Sequence, residues 1–177
     1  LAATLDRLNR ERQALDQQIQ DDAMALVESE YADPTLHPAI VLAGEGWHPG
    51  VIGIVASRVV ERYGRPTFLI GLDGAVGKGS GRSIEGFDLH AALTACSDLL
   101  TRYGGHRMAA GLTIPSDQVA AFRERFVGVA RAQLTVDDLG PTQRVDLELP
   151  LGEVTDELER LGRHLEPCGM GNAAPVL

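Results

Sequence analysis

The 177-residue sequence predicts an α/β domain with a mixed central sheet flanked by helices, preceded by a long helix. Three observations carry this. Ala39-Ile40-Val41-Leu42-Ala43 and Thr67-Phe68-Leu69-Ile70 are short continuous apolar runs, as buried strands are. Between them, residues 51–63 are apolar on one side through Ile52, Val55, Val59 and Tyr63, the pattern of an amphipathic helix. Strand, helix and strand in succession form a βαβ unit with a parallel pair.

The remaining elements follow in order. Over residues 1–30, Leu1, Leu5, Leu8, Leu15, Ile19 and Leu26 recur at steps of three, four and seven, a narrow apolar stripe interrupted at Arg12. Such a helix packs on a neighbouring domain or joins two domains. Asp33-Pro34 and His37-Pro38 end it, because the residue before proline is pushed out of the α region. Pro49 suits a first helical position, and Gly64-Arg65-Pro66 stops that helix. A glycine-rich stretch over 71–83 precedes a helix of about ten residues beginning near Asp88, a good N-cap. Gly104-Gly105 reads as a break, residues 108–114 as a strand, and Ser116 or Asp117 as the cap of a helix carrying Val119, Phe122, Phe126 and Val129. Residues 135–141 read as a linker. Val145-Asp146-Leu147-Glu148-Leu149 alternates like a half-exposed strand, and a helix over 152–164 follows. The Leu1 start and the ending after Cys168-Gly169-Met170-Gly171-Asn172 lead us to expect one whole domain with a severed neighbour at each end.

Composition narrows the function. The hydrophobic fraction of 44% argues against disorder, and no apolar run approaches the roughly 18–20 residues of a membrane span. Two cysteines without a C-x-x-C spacing predict neither a disulfide framework nor a zinc site, and fit a reducing, cytoplasmic compartment. The net charge of −9 lowers the prior for nucleic-acid binding. Its distribution changes that. Residues 50–111 hold seven basic groups against five acidic ones, a net +2, so the flanks carry −11. A mildly basic middle between acidic flanks can form a local electropositive cleft.

Three segments in that middle could carry chemistry. In Gly77-Lys78-Gly79-Ser80-Gly81-Arg82-Ser83, an extended backbone puts the three glycines on one face and Lys78, Ser80 and Arg82 on the other. Ammonium, hydroxyl and guanidinium then stand in a row about 7 Å apart, near the repeat of an extended nucleic-acid backbone. Phosphate contact and a plain glycine-rich edge strand with solvated charges both remain open on these residues alone. The G-x-x-x-x-G-K-[ST] order of a P-loop is absent. Second, Tyr103-Gly104-Gly105-His106-Arg107 permits a sharp turn projecting His106 and Arg107, and a histidine held there suits hydrogen-bond donation to a phosphate oxygen or proton transfer. Third, Trp47-His48-Pro49-Gly50 opens a helix whose N-terminal N–H groups would suit an anion. Asp21-Asp22 and Asp137-Asp138 read as solvated carboxylates, and no cluster has metal-ligand spacing.

Together, W-H-P-G-V-I-G-I-V-A-S-R (47–58), G-K-G-S-G-R-S (77–83) and Y-G-G-H-R-M-A-A-G (103–111) resemble the DHHA1 domain of the RecJ family of single-stranded-DNA-specific exonucleases. Leu8-Asn9-Arg10-Glu11-Arg12-Gln13 is similar to the family's connecting helix. The segment 165–172 is similar to its entry into an OB-type domain, with Cys168 and Ala173 where phenylalanine and proline are commoner. The resemblance implies connector 1–33, DHHA1 domain 34–134, and linker with the start of an OB-type domain over 135–177. It implies a 5′→3′ exonuclease of recombination and repair whose Mn²⁺ or Mg²⁺ sits in a DHH domain of the same polypeptide. Partners would be single-stranded DNA, a single-strand-binding protein and a helicase, with no membrane. On this sequence Ser80, Arg82 and Ser83 would bind phosphates, with Lys78 and Arg58 as weaker candidates. His106, on a loop shaped by Gly104 and Gly105, would reach toward the scissile phosphate as the catalytic residue.

The chain has no D-H-H triplet and no D-x-D, so no metal ligands are expected in it, and we expect it to be inactive alone. Two alternatives stand beside this. One is a DHH-family phosphodiesterase for short oligonucleotides or cyclic dinucleotides, though such relatives more often carry G-G-G-H. The other is a single-strand nucleic-acid-binding module without catalysis.

Overall fold

The computed structural model describes residues 2–33, 35–142 and 145–176, in two compact units divided after Pro141. Leu1 and Pro34, which contribute to the expected stripe and helix stop, lie outside the described residues.

The first unit runs α1 (Ala2–Glu30), β1 (Ile40–Glu45), α2 (Pro49–Tyr63), β2 (Thr67–Asp73), β3 (Val76–Arg82), α3 (Leu89–Thr94), β4 (Arg102–Gly105), β5 (Ala109–Pro115) and α4 (Val119–Gln133). The five strands form one mixed sheet in the order β1-β2-β3-β5-β4. β1 and β2 are parallel, as the βαβ reading requires, and every other pairing is antiparallel.

Alternation along the strands builds two cores. Ile40, Leu42 and Leu69 turn to one face, where they are buried with Val51, Ile52 and Val55 of α2 and Ile19, Ala23 and Val27 of α1. Val41, Phe68, Ile70, Leu112 and Ile114 turn to the other, against Phe122 and Phe126 of α4. The Phe68 ring meets Phe122 and Phe126 edge-on, with centroids 5.7 and 5.2 Å away, a geometry that adds to simple burial. Only the second half of α1 is buried, and Leu5 and Leu8 remain half exposed. Two polar ties hold the α1 side. Arg58 of α2 reaches Asp16 and Gln20 of α1 at 3.0 and 2.6 Å. The buried Arg65 donates to the carbonyls of Tyr31 and His37.

Trp47 sets the entry to α2. Its ring covers Gly44, where an added Cβ would come within 2.3 Å of it, and its carbonyl abuts Gly71. At the far end, Gly64 takes the left-handed conformation (φ 58°) that a helix stop favours.

Several boundaries differ from expectation. The helix after Asp88 is six residues, not about ten. Asp88 does cap it, accepting from the Ala91 N–H, but the chain tightens beyond Thr94 into i→i+3 bonds as Cys96 enters the core. Neither Ser116 nor Asp117 caps α4 by its side chain; a 3₁₀ turn over Ser116–Gln118 leads into it instead. Gly104 and Gly105 are not a turn: both pair in the ladder with Gly111 and Ala110.

The second unit holds α5 (Asp156–Gly162), capped by Thr155 Oγ1, and an isolated bridge between Gly169 and Asn172. No strand forms over 145–149. The alternation has no neighbouring ladder to pair with, and Asp146 instead bonds Val176 alone. Among the described residues no helix is long and apolar enough to cross a membrane.

Two outcomes follow from the packing. An alanine Cβ at Gly81 would lie 2.5 Å from the Phe68 ring. Gly81→Ala should therefore cost about 1–3 kcal/mol in urea unfolding, while Lys78→Ala on the opposite face should stay within about 0.5 kcal/mol. Burial pushes the Cys96 thiol up to about 11, whereas Cys168 is exposed. An alkylating reagent at pH 8 should label Cys168 in the native protein and Cys96 only after denaturant is added.

Candidate nucleic-acid interface

The β3 strand organises the site. Its odd positions, Gly77, Gly79 and Gly81, face the α4 core, where a Cβ would strike Ile70, Leu112 and Phe68 respectively. No side chain larger than hydrogen fits there, so the even positions Lys78, Ser80 and Arg82 share the opposite face. That face is covered by α2 over β2 and part of β3. Gly53 of α2 stands directly above the site, its would-be Cβ 2.9 Å from both Ser80 Oγ and the Arg82 guanidinium.

Ser80 and Arg82 are linked: Arg82 Nη1 donates to Ser80 Oγ at 3.1 Å and to the Gly81 carbonyl at 2.8 Å. Both are half-buried, whereas Lys78 is exposed. The guanidinium is thereby held by neutral acceptors that leave its charge uncompensated, and its remaining donors are available to an anion.

The sheet continues this face sideways. Register pairs Arg82 with Ala109, Ser80 with Gly111 and Lys78 with Thr113 on β5, and then Gly111 with Gly104 and Thr113 with Arg102 on β4. His106 follows β4, its N–H donating to the Ala109 carbonyl at 2.9 Å. It therefore joins the cross-strand row of Arg82 and Ala109. Gly105, with φ 141° and a would-be Cβ 2.5 Å from the Ala109 carbonyl, lets the backbone make this exit. The exposed loop is thus His106-Arg107-Met108, two residues later than the glycine pair predicts.

Two other candidates are placed differently. Ser83 is buried, its hydroxyl donating to the Phe87 carbonyl at 2.8 Å, which pins the end of β3 to the entry of α3. Arg58 is turned to α1 and engaged with Asp16. The α2 N-terminus is also closed. His48 Nδ1 accepts from the Gly50 N–H, and the His48 carbonyl accepts from Val51 and Ile52. The anion-binding N–H groups expected there are already satisfied.

A cleft of about 510 Å³ lies between that helix start and β3, lined by Trp47, His48, Pro49, Val76 and Lys78 with Glu45 and Asp73. Lys78 separates it from a shallower hollow over β5 and β4. Arg102 and Thr113, which line this hollow, were not singled out by sequence reasoning; the signal was a short strand concealed by its two glycines. Among the described residues no group of three His, Cys, Asp or Glu side chains could hold a metal ion.

Comparison with known proteins identifies the family. The DHHA1 domain model matches residues 36–132. The chain is 44% identical to the single-stranded-DNA-specific exonuclease RecJ of Bacillus subtilis, over 99% of this chain and 22% of that protein. For the Escherichia coli protein of the same name the identity is 37%, over 99% of this chain and 32% of the relative. The crystal structure of Thermus thermophilus RecJ with Mg²⁺ superposes at a TM-score of 0.78 and 36% identity, covering 98% of this chain and 26% of that one. The chain thus spans between about a fifth and a third of the length of these relatives. The fold, the ordered motifs and a domain match over more than half of its residues agree: the chain belongs to the DHHA1 domain family.

Proposed function

We propose that this chain is the strand-gripping part of a 5′→3′ single-stranded-DNA exonuclease of recombination and repair. In this reading it works in the cytoplasm, opposite a metal-bearing DHH domain of the same polypeptide. The observation that carries the proposal is the single sheet face on which Lys78, Ser80 and Arg82 stand together, with His106 in the row of Arg82. Support also comes from the relatives, which bear the exonuclease name, and from the Thermus protein, crystallised with Mg²⁺ and with Mn²⁺. Residues 1–33 serve as the connector and 135–177 as the linker and start of an OB-type domain.

The chemistry divides accordingly. Metal ions held by the DHH side would supply the activation of water and the stabilisation of in-line displacement at phosphorus. The residues of this chain hold the strand. Arg82 and Ser80 receive a phosphate through a charge-assisted pair of donors, and α2 limits its approach through Gly53. His106, exposed on its loop, donates toward the scissile phosphate. Gly104 and Gly105 supply the bare backbone that brings it there. Ser83 acts through the turn it anchors, and Arg58 through the α1–α2 contact.

Binding of a fluorescent thymidine oligonucleotide by this chain tests the proposal. Affinity should fall with salt at a slope of about −0.7 per phosphate contacted, and Arg82→Ala should weaken it about tenfold without changing the unfolding midpoint. Binding indifferent to both salt and Arg82→Ala would contradict the reading. A companion measurement concerns catalysis. With Mn²⁺ and single-stranded DNA this chain alone should release no nucleotides, and clear turnover would refute the division of labour.

A further inference from the structure

We propose that Lys78, Thr113 and Arg102 form a second phosphate subsite, two internucleotide steps along the strand from Arg82 and Ser80. The inference rests on the single-strand reading of this face and specifies where the strand continues.

Charge partnership points to it first. Eight arginines of the chain (Arg7, Arg10, Arg58, Arg62, Arg123, Arg125, Arg160 and Arg163) stand within ion-pair distance of carboxylates. Arg65 and Arg131 are bonded to carbonyls, and Arg12 to Asn9. Among the described residues, Lys78, Arg102 and Arg107 are the basic side chains left with no protein partner, although acidic groups outnumber basic ones by 25 to 16. A cation left unpaired on so acidic a chain is free to take an anion from outside.

Register brings two of the three together. Thr113 is the cross-strand partner of Lys78 on one side and of Arg102 on the other. Directly opposed residues share a face, and neighbouring strands lie about 4.8 Å apart, so the two cations flank one hydroxyl with backbones about 10 Å apart. Long flexible side chains converge readily over that distance. The hollow between them, about 350 Å³, is floored by Gly79, Gly104 and Gly111.

The floor supports the same path. At Gly104 an added Cβ would meet nothing within 4 Å, and at Gly111 only the Gly79 carbonyl at an ordinary 3.5 Å. Packing thus demands glycine at 77, 79 and 81 on the buried face but not at 104 and 111 on the open one. From Arg82 to Lys78 is four residues of strand, about 13 Å, a length an extended nucleic-acid backbone covers in two steps. A strand crossing Gly111 and Gly104, beside the edge of α2 that covers Ser80, would then present one phosphate to Arg82 and the next but one to Lys78 and Arg102.

A thymidine pentamer carrying one uncharged methylphosphonate, moved position by position, tests this with the whole chain. Wild-type protein should lose affinity at two positions, two steps apart. Arg102→Ala should weaken the unmodified pentamer about fivefold to tenfold, reduce the salt slope by about 0.7, and abolish the penalty at one of those positions only. Arg82→Ala should abolish it at the other. Gly111→Val, which suits a strand and should leave the unfolding midpoint at or above wild type, should block binding by raising the floor. Unchanged affinity in Arg102→Ala beside a loss in Arg82→Ala would overturn the second subsite while leaving the function standing. Unchanged affinity in both variants, or no binding by the wild-type chain at low salt, would overturn the strand-binding face and the subsite with it.

Discussion

The Phe68 ring lies against Gly81, and no other residue fits that contact. Repeated at Gly79 beneath Leu112 and at Gly77 beneath Ile70 and Ile114, it seats the central strand on the core side chains of its neighbours with no side chain of its own between. Strand geometry does the rest. With every odd residue of β3 committed to the core, Lys78, Ser80 and Arg82 have one face left to occupy. A one-residue slip of register would drive a lysine and an arginine into the phenylalanine cluster, so stability and site placement are enforced by the same contacts.

The surrounding elements act on that face from above and from the side. Trp47, seated on Gly44 and abutting Gly71, fixes the start of α2; α2 in turn brings Gly53 down onto Ser80 and Arg82. A larger residue at 53 would displace the guanidinium. To the side, β5 and β4 extend the platform with small residues and end in the His106 loop. In the proposed reading, local charge and not total charge governs recognition. At physiological salt the potential of an exposed charge is screened beyond about 8 Å, so acidic groups on distant elements weigh little against adjacent cations on this one.

Much of this could be read from the residues, and the exceptions have physical causes. Alternation over 77–83 placed the glycines and the polar triad on opposite faces, and the βαβ succession foretold the parallel pair. The Gly104-Gly105 strand was concealed because a strand that presents a bare face has the composition of a turn; only the ladder to Gly111 and Ala110 distinguishes them. The α2 N-terminus misled for a related reason. Histidine is not among the usual capping residues, yet His48 Nδ1 accepts the Gly50 N–H and leaves no donor for an anion. At 145–149 a two-residue period was present without a partner strand, and period alone does not make a ladder. Arg58 and Ser83 show the limit of motif position: a residue inside a functional motif can serve the scaffold, one through Asp16 and the other through the Phe87 carbonyl.

The proposed division of the sheet into a structural face and a strand-binding face is open to direct observation by backbone amide NMR during titration with a short thymidine oligonucleotide. Shifts should be confined to residues 78–82, 102–106 and 109–113 and to the turn of α2 around Gly53, with α4 unmoved. Shifts concentrated on α4, around Arg123 and Arg131, would place the ligand on the other side of the sheet and contradict the account.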